Sequence, residues 1–197
     1  MNRSDVNELY YITHIDNLES ILRYGILCHY KAKKILCKSI ADPKIQERRE
    51  KVVIPGGKHK LHDYANLYFN ARNSMMYKRK DIHREICILR INPAILDKPN
   101  VIISDKNASS DYVRFYSPKE LDKLDGALIF SNDWRNNDYY EYRKRRSAAC
   151  AEVLVLGSVV PKFIIGAYVS CQDTRQKVIK LLANNVSINP KLFFQEV

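Results

Sequence analysis

The sequence lacks both a membrane-spanning segment and the glycine motifs of common nucleotide sites. No run of about 18 apolar residues occurs, and the first residues lack the apolar core of a signal peptide, so the expected compartment is the cytoplasm. Neither G-x-x-x-x-G-K-[ST] nor G-x-G-x-x-G is present, which disfavours a P-loop or Rossmann site. Repeats, low-complexity tracts and Gly/Ser linkers are also missing, so we expect one domain over residues 1–197.

Metal-binding and serine-nucleophile motifs are missing as well. The five cysteines are scattered without a C-x-x-C pair, which predicts reduced, mostly buried thiols. The five histidines form no H-E-x-x-H or similar set, although His59 and His62 lie close together. No G-x-S-x-G elbow occurs. We therefore expect chemistry without a metal ion and without a serine nucleophile.

Positive charge is what the sequence has in excess. It holds 33 Lys and Arg against 22 Asp and Glu, a formal net charge of +11. Such a balance favours a polyanionic partner, most often nucleic acid, although it also fits a basic protein kept soluble by its charge.

The apolar patterns predict an α+β fold on a largely antiparallel or mixed sheet, because the regular strand–helix alternation of a doubly wound fold is missing. Strands are predicted at 10–15, 85–92, 101–105, 126–131, 151–160 and 163–170. Helices are predicted at 16–25, near 42–51 within a long loop over 31–60, at 117–124 and at about 174–183. Asp16 and Glu19 have capping-box spacing for the first helix, and Val178, Leu181 and Leu182 are expected to face inward on the last.

Glu152 is the acid in the apolar strand "AEVLVLGSVV". Alternation puts Ala151, Val153 and Val155 on one face and Glu152 with two leucines on the other. A carboxylate on such a face lies either at the sheet edge or in a cleft, and acids in clefts are often functional because burial without a role costs free energy.

Two other candidates allow both a structural and a functional interpretation. His14, inside an apolar strand, is either a satisfied core histidine or a group that holds a ligand amide or hydroxyl. Arg48 and Arg49 in "IQERR" either belong to a solvated helix face or include an arginine that makes bidentate hydrogen bonds to a phosphate or a base edge.

Two aromatic segments also allow both a structural and a functional interpretation. In "NLYFNARNSMMY" (66–77), Tyr68 and Phe69 are candidates to stack on a planar ligand. Met75 and Met76 either line a pocket or belong to a packed apolar turn. The segment 132–146, "NDWRNNDYYEYRKRR", is either a polar surface loop or a platform on which aromatic side chains stack on unpaired bases while cations follow the backbone.

Four blocks in this order resemble the DarT family of DNA ADP-ribosyltransferase toxins: "YYITHIDNLESILRYGIL", "IQERR", "DYANLYFNARNSMMY" and "AEVLVLGSVVP". The resemblance covers about residues 9–170. It implies an ADP-ribosyltransferase-like fold with a split, mostly antiparallel sheet flanked by helices, which holds NAD⁺ without a glycine fingerprint. It also implies mono-ADP-ribosyl transfer from NAD⁺ to a thymine or guanine of single-stranded DNA, and a macrodomain antitoxin, DarG, as partner.

The resemblance assigns roles by motif. Glu152 matches the catalytic glutamate and Arg49 the catalytic arginine, with adjacent Arg48 as the alternative register. The implied NAD⁺ contacts are Thr13, His14, Ile15, Leu22, Arg48, Tyr68 and Met75. Residues of about 31–51 match a loop over NAD⁺ and 132–151 a loop that presents the substrate. The candidate DNA contacts in it are Trp134, Tyr139, Tyr142, Arg143, Lys144, Arg145 and Arg146. Ser74 departs from the family, in which many members have proline there.

This chemistry suits a fixed carboxylate. Breaking the nicotinamide–ribose bond builds positive charge on the ribose, as in glycoside hydrolysis, and Glu152 would stabilise that charge. A guanidinium is a poor base, so Arg49 is expected to stabilise the pyrophosphate or the base anion. The alternatives are an RNA-directed toxin nuclease that uses His14 and Arg49, and a non-catalytic nucleic-acid-binding module with Trp134 and the Arg/Lys run as its footprint.

Overall fold

The computed structural model describes residues 1–55, 58–182 and 185–195. The strands are β1 (Leu9–His14), β2 (Ile26–Leu27), β3 (Tyr64–Tyr68), β4 (Ile86–Ile91), β5 (Val101–Ser104), β6 (Phe115–Tyr116), β7 (Glu152–Leu156), β8 (Ser158–Val159), β9 (Ile164–Val169) and β10 (Val186–Ile188). The α-helices are α1 (Leu18–Tyr24), α2 (His29–Ala32), α3 (Pro43–Lys51), α4 (Ser74–Tyr77), α5 (Gly126–Ile129), α6 (Tyr139–Ala148) and α7 (Gln172–Leu182).

Eight of these strands form one sheet in the order β10-β9-β4-β1-β3-β7-β5-β6, and β2 pairs with β8. Neighbours are antiparallel except β10 and β9, which are parallel. This confirms the predicted α+β fold on a mostly antiparallel sheet. Helices and short 3₁₀ turns flank the sheet, and the largest apolar cluster includes Leu67 from β3, Leu89 from β4 and Val153 from β7.

The sheet is split in its middle. β1 pairs with β4 over six positions, from Leu9 to His14, whereas among the described residues its pairing with β3 is a single position, Tyr10 opposite Tyr68. The two half-sheets therefore meet at one point and diverge beyond it. A separation of this kind opens a space between two strand edges whose backbone groups are free to contact a ligand.

Several local predictions are confirmed. Ser117 caps a 3₁₀ helix at Pro118–Lys123, with Glu120 completing the capping box. The long loop over 31–60 contains α3, whose N-cap Asp42 accepts a hydrogen bond from the Lys44 backbone N–H at 3.0 Å. Alternation in β7 is also as predicted, since Ala151, Val153 and Val155 belong to one apolar cluster and Leu154 to another.

Other local predictions are wrong. The segment 126–131 is not a strand but contains α5, because Asp125 accepts a hydrogen bond from the Leu128 backbone N–H at 3.1 Å and starts a helical turn. Asp16 does not cap α1; Asn17 occupies the N-cap position, and Asp16 instead lies in a short 3₁₀ turn before it. On α7, Val178 is buried but Leu181 is 45% exposed; position 183, the predicted end of this helix, lies outside the described residues.

Within the part of the chain that the structure describes, no helix is both long and apolar enough to span a membrane.

Candidate active site

A cavity of about 540 Å³ lies where β1 and β3 diverge. Thr13 on β1 and Asn66 on β3 line it, together with residues from α1, α3, α4 and α6. We call this space the β1–β3 cavity. Its volume falls within the range of about 300–1,000 Å³ that is usual for small-molecule and cofactor sites.

Glu152 begins β7 directly opposite Tyr68 and is fully buried. Its Oε1 accepts hydrogen bonds from Arg49 Nη1 and from the Ala108 backbone N–H, both at 2.9 Å. Its backbone N–H donates to Ser104 Oγ at 3.2 Å. Oε2 has no hydrogen-bond partner among the described residues. Since a buried carboxylate oxygen without a partner is costly, Oε2 is an acceptor that a ligand hydroxyl would satisfy.

Arg49 forms part of the cavity wall and is itself only 5% exposed. α3 turns Arg49 toward β7 while its neighbour Arg48 stays exposed, although both side chains reach the cavity. Burial alone lowers the pKa of Arg49, but the charge and the hydrogen bond of Glu152 outweigh it and raise the pKa above its ordinary value. Arg49 is therefore a permanent cation, and it is the arginine of the pair that contacts Glu152.

Three further predicted contacts lie in the cavity wall: Thr13, Tyr68 and Met75. Burial, followed by the charge of Glu152, raises the pKa of Tyr68, so its hydroxyl stays protonated. The Thr13 hydroxyl accepts a hydrogen bond from Asn17 Nδ2 at 3.1 Å, which fixes the turn between β1 and α1.

Three other predicted contacts lie outside the lining of the cavity: His14, Ile15 and Leu22. The His14 ring is occupied on both sides, because Nδ1 accepts from the Asp16 backbone N–H and Nε2 lies 3.1 Å from Glu85 Oε2. Both ring nitrogens thus have partners, as in the structural interpretation, and the NAD⁺ contact of His14 stays a prediction. On α1 it is Ser20 and Ile21, the two positions before Leu22, that line the cavity.

The segment 132–151 is not simply a loop, because it contains helix α6. Asp138 caps this helix by accepting a hydrogen bond from the Glu141 backbone N–H at 2.8 Å. Helical spacing then brings one face of α6 to the cavity. The α6 residues on that face, with the cysteine that follows the helix, are Arg143, Arg146, Ser147 and Cys150.

The candidate DNA contacts therefore separate by helix face. Lys144 Nζ lies 3.5 Å from Glu141 and Arg145 Nε lies 3.8 Å from it, and neither basic residue lines the cavity. Tyr139, at the start of α6, is 62% exposed. Tyr142 is partly buried, and its hydroxyl accepts a hydrogen bond from Arg146 at 3.3 Å.

Trp134 does not form an exposed stacking platform. It is 9% exposed and packs 6.2 Å from the Tyr77 ring and 5.5 Å from the Phe194 ring, measured between ring centroids. An indole enclosed in this way cannot stack on a nucleic-acid base. Its role is to hold the segment before α6 against α4 and the C-terminal turn.

The wall of the cavity is strongly cationic. Of the described side chains that line it, one is a carboxylate, Asp42, and eight are lysine or arginine: Lys33, Lys38, Arg48, Arg49, Lys78, Arg79, Arg143 and Arg146. Two of the lysines are paired, Lys38 with Asp16 at 2.6 Å and Lys78 with Asp42 at 2.9 Å. Within the same described part of the chain, no group of three His, Cys, Asp or Glu side chains is arranged to hold a metal ion. Such a wall suits a ligand with phosphate groups.

His29, His62 and Gln46 also line the cavity, although the sequence does not predict them as site residues. His29 and His62 are stacked, with ring centroids 4.0 Å apart. In the sequence, His62 stands out only through its closeness to His59. The spacing of 33 positions between the stacked histidines gives no local signal, so only the fold reveals the pair.

Comparison with known proteins decides the family. The family model described as "ssDNA thymidine ADP-ribosyltransferase, DarT" matches residues 10–194. The chain belongs to the DarT family. A DNA ADP-ribosyl transferase–DNA ADP-ribosyl glycohydrolase fusion protein of Thermosipho africanus is 32% identical over 197 residues, which cover 95% of this chain and 49% of the fusion protein. The chain thus spans about half the length of that curated relative.

Two solved DarT structures from Thermus sp. 2.9 have the same fold. The complex with ADP-ribosylated ssDNA has a TM-score of 0.83 at 28% identity and covers 96% of this chain and 97% of that chain. The complex with NAD⁺ has a TM-score of 0.77 at 26% identity, and the match covers 95% of this chain and 98% of that chain. These matches confirm the predicted family and its ADP-ribosyltransferase-like fold.

Proposed function

We propose that this DarT chain is an NAD⁺-dependent mono-ADP-ribosyltransferase that modifies a thymine of single-stranded DNA and releases nicotinamide. The observation that carries the proposal is the buried Glu152–Arg49 pair, of which Arg49 lines a cationic cavity and Glu152 lies behind it, with Glu152 Oε2 lacking a partner among the described residues. The NAD⁺ and ADP-ribosylated ssDNA complexes of the Thermus relative support the choice of both substrates, and the family's description supports thymine rather than guanine.

The residues of the cavity fit NAD⁺. The cations Arg48 and Lys33 offer charge-assisted hydrogen bonds to a pyrophosphate, while Tyr68 and Met75 provide flat and apolar surface for a ring. The strand edges beyond the Tyr10–Tyr68 position add backbone donors and acceptors. Bound there, NAD⁺ supplies a ribose that is activated for transfer, because nicotinamide is its leaving group.

Glu152 acts as the stabilising carboxylate in this proposal. Oε2 accepts a hydrogen bond from a ribose hydroxyl, and the negative charge stabilises the positive charge that develops on the ribose as the glycosidic bond breaks. Because Glu152 is fully shielded here, the surrounding side chains must shift before a ligand reaches it. The Ala108 backbone N–H would hold the carboxylate in place during that shift.

Arg49 positions and balances this carboxylate, and it is not a proton acceptor. Its pKa is raised by Glu152, so it cannot take a proton from the thymine. The guanidinium contacts the Glu152 carboxylate at 2.9 Å, and it is placed to stabilise negative charge on the pyrophosphate or on the base as the ring proton of the base leaves to solvent.

The acceptor strand would approach along α6. Arg143 and Arg146 face the cavity and would follow the phosphates, while exposed Tyr139 can stack on a base. Single-stranded DNA offers an unpaired thymine directly and avoids the cost of extracting a base from a duplex, which is a few kcal/mol.

The two other candidate activities gain no support from the geometry. A nuclease that uses His14 and Arg49 as acid and base would need a free nitrogen on the His14 ring, but both nitrogens already have partners. A binding module would use Trp134 and the Arg/Lys run as its footprint, and of these the indole is buried.

The biological setting follows from the same proposal. In this proposal the chain is the toxin of a toxin–antitoxin pair, and a DarG macrodomain antitoxin that removes the mark is its expected partner. The Thermosipho relative, in which the transferase is fused to a DNA ADP-ribosyl glycohydrolase, supports that pairing. Access to both NAD⁺ and DNA makes the cytoplasm the compartment that the proposal requires.

Mass spectrometry of oligonucleotides after incubation with NAD⁺ tests the proposal. Matched oligonucleotides would carry thymine, guanine, both or neither, in single-stranded and in duplex form. We expect one ADP-ribose per modified strand, located on thymine and found only in the single-stranded set. Equal modification of the duplex, or cleavage of RNA without NAD⁺, would contradict it.

A further inference from the structure

Asn70 joins the end of β3 to the start of the segment that carries α6. We call residues 129–151 the α6 segment. Asn70 lies two positions after Tyr68, the last residue of β3, and is 8% exposed. Its Nδ2 donates hydrogen bonds to the backbone carbonyls of Ile129 at 2.8 Å and of Ser131 at 3.3 Å. Ile129 ends α5, and because the last carbonyls of a helix have no partner within it, Asn70 satisfies one of them.

The amide group of Asn70 has a single orientation that fits its surroundings. Oδ1 accepts a hydrogen bond from the Arg72 backbone N–H at 2.8 Å, while Nδ2 faces the two carbonyls of the α6 segment. A backbone N–H only donates and a carbonyl only accepts, so a flipped amide would lose all three bonds. The Asn70 backbone carbonyl in turn accepts from Asn73 Nδ2 at 2.8 Å, and Asn73 Oδ1 caps α4. Asn70 is therefore held in place from the side of α4.

Arg72 fixes the next residue of the α6 segment. Its Nε donates a hydrogen bond to the Asn132 backbone carbonyl at 3.2 Å. The guanidinium also donates to the Lys191 backbone carbonyl and lies 4.0 Å from the centroid of the Phe194 ring. Because the C-terminal turn holds the guanidinium in this way, the α6 segment is anchored over residues 129–132.

The end of the α6 segment returns to the same part of the chain. The Phe69 backbone N–H donates to the Ala151 carbonyl at 3.3 Å, and Ser74 Oγ lies 3.1 Å from Cys150 Sγ. Glu152 follows directly in the sequence. The stretch after β3 therefore contacts both ends of the α6 segment, and these contacts set the position of α6 relative to Glu152.

Given the proposed transfer to single-stranded DNA, on which this step rests, we infer that Asn70 is a positioning residue for the acceptor base. Asn70 does not line the β1–β3 cavity, so it acts through the α6 segment, whose residues Arg143 and Arg146 do line it. The point at which a base carried along α6 meets the ribose at Glu152 then depends on where Asn70 holds that segment. Because a misplacement of about 1 Å can lower a rate by a factor of about 100, Asn70 controls transfer without contacting either substrate.

The variant Asn70→Asp tests the inference. It keeps the shape of the side chain and the oxygen that accepts from Arg72, but it places a second oxygen against the carbonyls of Ile129 and Ser131. The affinity for NAD⁺, measured by calorimetry without DNA, should stay at the wild-type value. The single-turnover rate of ADP-ribosyl transfer at saturating single-stranded DNA, followed by mass spectrometry, should fall by about 10- to 100-fold. Val178→Ala is the control for lost stability, because it opens a cavity where α7 packs on the core and should leave that rate unchanged.

Arg72→Lys is a second variant that decides the question if Asn70→Asp does not fold. It keeps the positive charge but removes the Nε donor to Asn132, so the transfer rate should fall while the affinity for NAD⁺ stays unchanged.

The outcomes separate this inference from the proposed function. A folded Asn70→Asp chain that transfers at the wild-type rate would overturn the positioning role, as would weaker binding of NAD⁺ or an equal loss of rate in Val178→Ala. If only Arg72→Lys folds, a wild-type rate in that variant has the same meaning. A wild-type chain that modifies no strand would overturn the proposed function itself.

Discussion

Replacing Arg49 with methionine tests the pairing at the centre of the site. In the wild-type chain the Arg49 and Glu152 side chains are 6% and 0% exposed, and their closest atoms are 2.9 Å apart. Removing one partner of such a buried pair leaves an uncompensated charge, at a cost of about 3–5 kcal/mol. For a chain of this size, one kcal/mol lowers the melting temperature by about 2–4 °C, so we expect a loss of roughly 6–20 °C.

The double variant Arg49→Met, Glu152→Gln should recover much of that loss, because neither charge is then left buried alone. Its free energy of unfolding, measured by urea denaturation, should be clearly higher than the sum of the single effects predicts. Arg48→Met is the matched control: Arg48 is adjacent but exposed, and its replacement should change stability by less than about 0.5 kcal/mol. Strictly additive single effects, or an Arg48 variant as unstable as the Arg49 variant, would refute the pairing.

Three further predictions follow from the geometry. Trp134→Ala should lower the free energy of unfolding by about 3–5 kcal/mol without a specific loss of affinity for single-stranded DNA. If it bound single-stranded DNA more weakly than another variant of the same stability, the platform interpretation would be restored. Arg143→Ala should weaken binding to single-stranded DNA in fluorescence anisotropy, and it should reduce the slope of log binding constant against log salt concentration by about 0.7. Lys144→Ala, which removes an exposed lysine beside Glu141, should change both quantities less. The reverse order would contradict the placement of α6. Because the folded pKa of His62 is about 4 and its ordinary value is 6.5, the unfolded chain binds the proton more readily, so stability should fall as the pH drops from 6.5 toward 4. His62→Phe should remove that part of the pH dependence in urea unfolding, and an unchanged pH profile would argue against a neutral buried ring.

Structural features that depend on a local sequence pattern, such as the alternation in a strand or the start of a helix, were predictable. Alternation in β7 predicts that Glu152 lies on the face opposite Val153, and the pattern over 117–124 predicts a short helix, which is present as a 3₁₀ helix capped by Ser117; both agree with the fold. The family resemblance added the role of Glu152 and the match to Arg49. The assigned roles and the division into one domain stay predictions, whereas the contact between the two side chains is visible in the structure.

Competition between local signals explains the errors. The residues of "GALIFS" favour a strand by composition, but Asp125 caps a helical turn whose Ile129 is buried in the core. The basic run in 132–151 favoured the interpretation of this segment as a loop, although it contains a helix. Asp138 caps that helix, and an i,i+4 ion pair between Glu141 and Arg145 supports it.

The remaining features depend on tertiary structure. The split between β1 and β3 is set by how far two strands stay paired, which neither strand's own pattern specifies. The stacked pair of His29 and His62 joins α2 to the turn before β3 across 33 positions. The burial of Trp134 depends on Phe194 near the other end of the chain.

The most direct test of the central claim compares the wild-type chain with Glu152→Gln. Both would be incubated with NAD⁺ and one thymine-containing single strand, and the ADP-ribosylated product would be quantified by mass spectrometry, with circular dichroism confirming that both are folded. The account predicts a thymine-linked ADP-ribose for the wild-type chain and a loss of product of several orders of magnitude for Glu152→Gln, because the developing ribose cation loses its stabilising charge. A folded Glu152→Gln chain that modifies the strand at the wild-type rate would contradict it.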